Sequence, residues 1–498
     1  MPRTATLSFD RGTLILHPPP KGKAWVEFVM WDDRIEKFRL PASQYRQFLE
    51  AVRAEGTQVI DKAAQFSELA LTVTDSREPF AHQREALEKW KQAGRRGVVV
   101  LPTGAGKTYL AQLAMRDTPR STLIVVPTLD LMHQWYAQLE ANFQGSSVGL
   151  LGGGSKDDTA ILVATYDSAA IYAERLGNRY GLLIFDECHH LPADFKRSIA
   201  EYSIAPYRLG LSATPERADG KDADLDTLIG PRIYSKRPED LAGGALAKHD
   251  IIQIKVDLSE DERTRYDACI AKRNAFLKDK KISLGTLKGW QYFVAQSARS
   301  SAGREAMLAH REARALAFGT QSKLRVLVDL LHKHAADRVL IFTDSNDTVY
   351  TISETLLIPA ITHQTKVKER HETLTFFREG IYPRLVTSKV LNEGVDVPDA
   401  NVAIVLSGTS TTREYVQRLG RILRKREGKL ALLYEVVASG TSEERVSERR
   451  RGKTSSASSK ASSTSQHVKT ANDDAGEKQG SLDLTPIAET DAISFEDL

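Results

Sequence analysis

Cysteine is nearly absent: Cys188 and Cys269 are the two in a chain of 498 residues. Two thiols cannot build a disulfide framework or a cysteine-rich zinc cluster, and a reducing interior is the natural compartment for such a chain. Long apolar runs are missing as well. The apolar runs are short, among them GVVVL (97–101), TLIVV (122–126), LLIF (182–185), VLIF (339–342) and VAIVL (402–406). None approaches the roughly 18 residues that span a bilayer, so no membrane partner is expected. The opening MPRTATLSFDRG has no apolar stretch behind a basic end, which argues against a signal peptide. Excess charge of one sign is lacking too. The 69 Lys+Arg oppose 65 Asp+Glu for a net +4, which neither demands nor excludes a polyanionic ligand.

What is present has the balance of a soluble globular protein: 41 % hydrophobic and 27 % charged residues. That excludes a wholly disordered chain, a collagen-like chain and a coiled-coil rod. The length suits about three domains. Residues 1–75 alternate apolar and polar in TLILH, WVEFV and EKFRL. They then show a helical face at Tyr45, Phe48, Leu49 and Val52, which together read as a small α+β unit. From 76 to 255 buried-strand runs alternate with helical segments, the pattern of a parallel-sheet α/β domain, with 237–255 as a connection punctuated by Gly243 and Gly244. Residues 256–320 are rich in helix formers, with helices over SEDERTRYDACIAKRNAFL and SAGREAMLAHREARALAF. A second α/β unit follows over 321–446. From 447 to 498 the chain turns basic and Ser-rich and then acidic with spaced apolar residues. This reads as a disordered tail, either solvated throughout or ending in a short docking peptide.

Two stretches carry chemistry. LPTGAGKT (101–108) follows a buried strand and opens a helix. Backbone N–H groups of Thr103, Gly104, Ala105 and Gly106 can surround phosphate oxygens there. Lys107 would reach the β/γ phosphates of ATP and Thr108 would offer its hydroxyl to Mg²⁺. The first position is Leu101 where the strict phosphate-loop pattern has Gly, so a plain Gly-rich turn stays open. FDECHH (185–190) follows a second buried run. Asp186 would hold Mg²⁺ through water, and Glu187 would orient and deprotonate the attacking water. Adjacent histidines in a strand would point to opposite faces, so joint metal ligation by His189 and His190 is not expected. His189 is expected to couple the site to a neighbouring segment.

LGLSATPER (209–217) is similar to the S-A-T motif of superfamily 2 helicases, and the remaining motifs follow in that family's order. VVPTLDLMHQW (125–135), VATYDS (163–168), IFTDSN (341–346), VTSKVLNEGVDVPDAN (386–401) and REYVQRLGRILR (413–424) resemble motifs Ia, Ic, IV, V and VI. DECHHLPADF, SIAPYRLGLSATPERADG, LIGPRIY, ITHQT and QRLGRILR resemble the XPB group, especially its archaeal and bacterial members. The resemblance implies two RecA-like domains, a damage-recognition-like N-terminal domain and a helical thumb-like insertion. It also implies ATP-dependent 3′–5′ movement on single-stranded and forked DNA, at a cytoplasmic, nucleoid-associated location.

The same resemblance assigns roles. PFAHQREAL (79–87) lies where the adenine-reading segment belongs. Gln83 would then face the adenine edge, and Phe80 would either stack on the base or serve as a core aromatic. Arg421 and Arg424 would be arginine fingers, with Gln417 near the γ-phosphate and Gly394 and Asp396 lining the cleft. Thr128, Thr165, Thr343 and Thr387 are candidate contacts to DNA phosphates, or ordinary strand residues. The family's Arg-Glu-Asp element, implicated in strand separation, here reads Arg217-Ala218-Asp219. Arg217 stays a DNA-binding candidate, but the missing acid leaves two rivals to a helicase. One is a duplex translocase that does not separate strands. The other is an ATP-switched damage-binding scaffold that recruits a nuclease.

Overall fold

The computed structural model describes residues 4–145, 147–217, 219–241, 248–284, 287–388, 400–406, 430–445, 447 and 465–468. Its N-terminal unit is a five-stranded sheet in the order Met30–Asp32, Lys37–Pro41, Thr13–His17, Ala5–Asp10, Val59–Asp61. Helix Tyr45–Ala54 lays Tyr45, Phe48, Leu49 and Val52 over it, the face that 3–4 spacing predicts. WVEFV is not extended: it turns through a short 3₁₀ segment at Val26–Phe28, because Trp25 and not Val26 packs inward, edge-on to Phe38. Ile204 of the next domain completes this core, and Arg46 donates to the carbonyls of Gly94 (2.6 Å) and Pro206 (3.3 Å). Beyond Asp61 the chain already belongs to its neighbour. Gln65 N–H donates to Asn178 O, and Thr72–Val73 pairs with Phe143–Gln144.

The first α/β domain holds an eight-stranded sheet. Its order is Ser155–Lys156, Val148–Gly152, Ile161–Thr165, Thr122–Val126, Leu182–Asp186, Tyr207–Ser212, Arg96–Val100, Arg232–Ser235. Only the Ser155–Lys156 edge is antiparallel. Helices cover both faces, so every residue of Thr122–Val126, Ile161–Thr165 and Leu182–Asp186 is buried, which is why those runs are continuously apolar in the sequence. Tyr207–Ser212 lies between Leu182–Asp186 and Arg96–Val100, so the three motif-bearing strands end side by side.

The second sheet is parallel throughout. It runs Ala360–Ile361, Arg384–Thr387, Val339–Phe342, Val402–Val405, Leu430–Ala438, Lys248–Val256, Ser465–Val468. Residues 237–255 are therefore not simply a connection. Lys248–Val256 pairs along its whole length with Leu430–Ala438, and Ile254 and Val256 enter the second domain's core. A partner nearly two hundred residues away leaves no local mark, so the sequence pattern could not reveal it. The helices Glu260–Asp279, Leu287–Ser297 and Ser301–Gly319 are consequently an insertion after that domain's first strand. Ala306, Ala309, Ala313 and Ala317 are buried on the last of these, small enough to let it approach the first closely. Where the helices return to the sheet, buried Lys323 Nζ donates to Glu443 Oε2 and to Leu406 O, both at 2.6 Å. Between the two α/β domains, Arg370 Nη1 reaches Asp130 Oδ2 at 3.3 Å. Of the expected tail, Ser447 and the strand Ser465–Val468 are described.

Candidate active site

The loop after Arg96–Val100 turns back on the sheet through two left-handed glycines, Gly104 (φ +85°) and Gly106 (φ +79°). Leu101, the departure from the strict pattern, is wholly buried, and its N–H donates to Ser212 O at 3.0 Å. It extends the strand into the core, and the sharp turn begins after it. Gly106 caps helix Lys107–Asp117, leaving the helix's first N–H groups facing the loop, a ready-made anion site. Thr103 Oγ1 is buried without a hydrogen-bond partner among the described residues. An orphaned hydroxyl in such a loop fits a phosphate oxygen.

Residues 80–83 hold this loop from behind. Gln83 is 2 % exposed; its Oε1 accepts from Phe80 N–H at 2.9 Å, and its Nε2 donates to Ala105 O (3.3 Å) and Gly106 O (3.2 Å). His82 Nε2 lies 2.9 Å from Ala105 O. A Cβ on Gly106 would meet Gln83 Nε2 at 2.3 Å, so the amide and the glycine are mutually fitted. The amide is thus committed to the loop itself, whereas the Phe80 ring is 44 % exposed and stacks beside His82.

Lys107 Nζ donates to Leu101 O at 3.3 Å and lies 4.0 Å from Glu187 Oε1. Asp186 ends its strand, buried. Trp135 Nε1 donates to its Oδ2 at 2.8 Å, and Glu187 N–H to its Oδ1 at 3.0 Å. Burial and the neighbouring Glu187 charge push its pKa up, against the pull of Lys107 and Trp135. A divalent cation would relieve that burden, so the donor set of Asp186 and Thr108 fits Mg²⁺. Glu187 sits at φ +48°, a left-handed conformation rare for a non-glycine residue and typical of strained functional positions. Ser212, from the S-A-T run, lies 3.4 Å from Glu187 Oε2 and 3.2 Å from His189 Nδ1. His189 therefore lies in contact with both Glu187 and the strand Tyr207–Ser212. Among the described residues no cluster of three or more His, Cys, Asp or Glu could hold a metal by itself.

Arg217 closes the chain of contacts. Its Nη1 donates to His189 O at 2.5 Å, while Nε and Nη2 fork onto Asp219 at 2.9 and 2.6 Å. That fork holds the Asp219 carboxyl well below the usual carboxylate range. In this conformation Arg217 faces the protein and not open solvent, and Ala218 lies outside the described residues. The four threonines divide. Thr128 Oγ1 accepts from Leu131 N–H, and Thr165 Oγ1 from Ser168 N–H, as helix caps. Thr343 and Thr387 are 0 % exposed. None of these hydroxyls points freely outward, so any phosphate they meet would be met mainly by backbone N–H groups. Gly394, Asp396, Gln417, Arg421 and Arg424 lie outside the described residues. Trp135 and Ser212 were missed in the sequence. Both stand inside recognisable motifs, but nothing in their type reveals that one holds Asp186 and the other bridges Glu187 to His189.

Comparison with known proteins places names on these parts. Residues 7–63 match the family model of the xeroderma pigmentosum group B helicase damage recognition domain. Residues 76–217 match the type III restriction enzyme res subunit, and 322–426 the helicase conserved C-terminal domain. The DNA 3′–5′ translocase XPB2 of Sulfurisphaera tokodaii is 40 % identical over 428 residues, covering 86 % of this chain and 97 % of that protein. The DNA 3′–5′ helicase XPB of Mycobacterium tuberculosis is 31 % identical over 370 residues, 72 % of this chain and 60 % of that longer protein. In fold, the helicase domain of Pyrococcus furiosus Hef superposes with a TM-score of 0.52 at 18 % identity, over 75 % of this chain and 98 % of that one.

Proposed function

The chain belongs to the XPB family of DNA 3′–5′ helicases and translocases, and we propose that it couples ATP hydrolysis at the loop 103–108 and Asp186–Glu187 to 3′–5′ movement along DNA. The observation that carries the reading is the continuous set of contacts from Gln83 through the phosphate loop, Lys107, Glu187, Ser212 and His189 to Arg217. It joins the nucleotide site to the element implicated in strand separation.

Each residue has a task. N–H groups of Thr103 to Gly106 hold the phosphates, and Lys107 neutralises charge on the β/γ oxygens. Gln83 keeps the loop in its binding shape, and the exposed Phe80 ring offers a face to the base. Glu187 takes a proton from the attacking water. Asp186 and Thr108 would hold Mg²⁺, which supplies charge neutralisation at the phosphates when bound. Gln417, Arg421 and Arg424 complete the site from the second domain, an arginine there being worth ~10³–10⁵ in rate. Loss of the γ-phosphate changes Glu187, and Ser212 with His189 passes that change to Arg217. Gly394 and Asp396 line the same cleft. The N-terminal unit engages DNA as its family model is named for damage recognition.

Strand displacement on duplexes with a 3′ or a 5′ single-stranded tail, with ATP and Mg²⁺, tests the reading, ATP consumption being recorded in the same tubes. Unwinding from the 3′ tail alone is the expected result; DNA-independent ATP consumption with no displacement overturns it. A second reading, translocation along duplex DNA without strand separation, is favoured by one feature, Ala218 where the family carries an acid. ATP consumption stimulated by DNA but without displacement would select it. A nuclease recruited to the stalled complex is a partner this reading accommodates, and co-purification with a nuclease activity tests it.

A further inference from the structure

Away from the nucleotide site, the three inserted helices leave an open groove of ≈ 480 Å³ between Leu287–Ser297 and Ser301–Gly319. One wall is a stripe at helical spacing, Trp290 and Val294; the other presents Met307, His310, Arg311 and Arg314. Trp290 is 37 % exposed, and its ring lies 5.3 Å from that of His310. His310 Nδ1 is buried and has no hydrogen-bond partner among the described residues. Burial, then Arg273 and Arg314, pushes the His310 pKa down to about 4, so the ring is neutral at physiological pH.

Charge is sorted across the last helix. Its acids turn to the other side: Glu305 pairs with Lys272 at 2.7 Å and Glu312 with Arg265 at 2.8 Å, both on Glu260–Asp279. Arg311 and Arg314 turn to the groove. Arg311 has no ion-pair partner among the described residues, and no acidic side chain lines the groove. Arg314 Nη2 reaches Asp344 Oδ2 at 2.9 Å, in the loop following Val339–Phe342, so the groove continues into the second motor domain. An aromatic wall, a neutral ring nitrogen seeking a partner and a rim arginine, Arg311, with no acid beside it among the described residues are complementary to a nucleobase joined to a phosphate.

We propose that this groove takes one unpaired nucleotide of single-stranded DNA, its base stacked on Trp290 within reach of His310, and its phosphate on Arg311 and Arg314. The proposal rests on the DNA-motor reading above. An aromatic platform accepts any base, which suits a motor that must pass over all sequences. The seated nucleotide connects the strand to the insertion, and through Arg314 and Asp344 to the second domain.

The full chain would be irradiated with an oligothymidylate carrying one 5-iododeoxyuridine, and the crosslinked peptide identified. Binding of the same strand would be titrated at several salt concentrations for the chain and for W290A, W290F and R311A. Expected are a crosslink in the peptide containing Trp290 and an approximately tenfold loss of affinity in W290A. W290F should largely restore that affinity, and R311A should bind with a salt slope shallower by about 0.7. R311A alters an exposed side chain, so it guards against a folding failure of W290A. DNA-stimulated ATP hydrolysis together with crosslinks elsewhere and unchanged binding in W290A and R311A would overturn the groove alone. Absence of any DNA stimulation in the unaltered chain would overturn the motor reading and the groove together.

Discussion

Replacing Gln83 separates two roles that the resemblance and the structure assign to it. As an adenine reader, Gln83 would matter only when ATP is bound. As a strap behind the phosphate loop, it matters in the empty protein as well. Gln83→Ala removes three hydrogen bonds, to Phe80 N–H, Ala105 O and Gly106 O. The two carbonyls keep other donors nearby, His82 Nε2 at 2.9 Å and Leu110 N–H at 3.0 Å. The loss therefore falls mainly on the Phe80 N–H and on the missing packing, and a net ~2 kcal/mol is the scale for such a buried group. For a unit the size of the first α/β domain, ~2–4 °C per kcal/mol gives a melting shift of about 4–8 °C without nucleotide. Gln83→Glu is nearly isosteric, but it turns an oxygen towards the Ala105 and Gly106 carbonyls where an N–H₂ now donates, so it should be worse than alanine. Because the role proposed for the loop is to hold phosphates and not the base, both variants should weaken ATP and GTP alike, by about tenfold for Ala if ~1.4 kcal/mol of loop ordering is transferred to binding. Differential scanning fluorimetry without nucleotide and titration with both nucleotides make the test. An unchanged melting temperature with a selective loss of ATP affinity would refute the strap.

Three further outcomes follow from the same contacts. Glu187→Gln should retain nucleotide binding while steady-state hydrolysis falls at least about a hundredfold, the scale of a lost general base; near-normal turnover removes that role. Arg217→Ala cuts the link to His189 O and frees Asp219, so basal hydrolysis should stay close to normal while its stimulation by DNA drops several-fold; equal loss of both would place Arg217 in the nucleotide site instead. Lys323→Met leaves Glu443 buried without its ammonium partner, which costs about 3–5 kcal/mol in urea unfolding. Lys323→Met combined with Glu443→Leu should recover most of that, since the pair and not either charge is tolerated inside; failure of the double variant to recover would show that Glu443 is held chiefly by its other contacts.

Strands buried on both faces were legible residue by residue: TLIVV and VLIF coincide with Thr122–Val126 and Val339–Phe342. So did the helix face of Tyr45, Phe48, Leu49 and Val52. These signals are local, set by periodicity and by side-chain polarity along a few turns of chain. The phosphate loop and the paired carboxylates were legible for a related reason: their chemistry needs adjacent residues, and adjacency is written in the sequence. The order of motifs carried the rest of the family assignment.

Only the tertiary structure decided that Lys248–Val256 is a strand of the second sheet and that the helices 260–319 interrupt that domain. Strand pairing is a contact between residues far apart in the chain, and neither partner's pattern names the other. The same holds for the site. That Gln83 straps the loop, that Trp135 holds Asp186, and that Thr128 and Thr165 cap helices all depend on where a polar atom finds its partner. The residue type alone allows several. Sequence determined which chemical groups this protein owns and which of them are neighbours along the chain; the packing of the sheets and helices determined which of those groups face one another, because a hydrogen bond is decided by a few ångströms that only the folded chain sets.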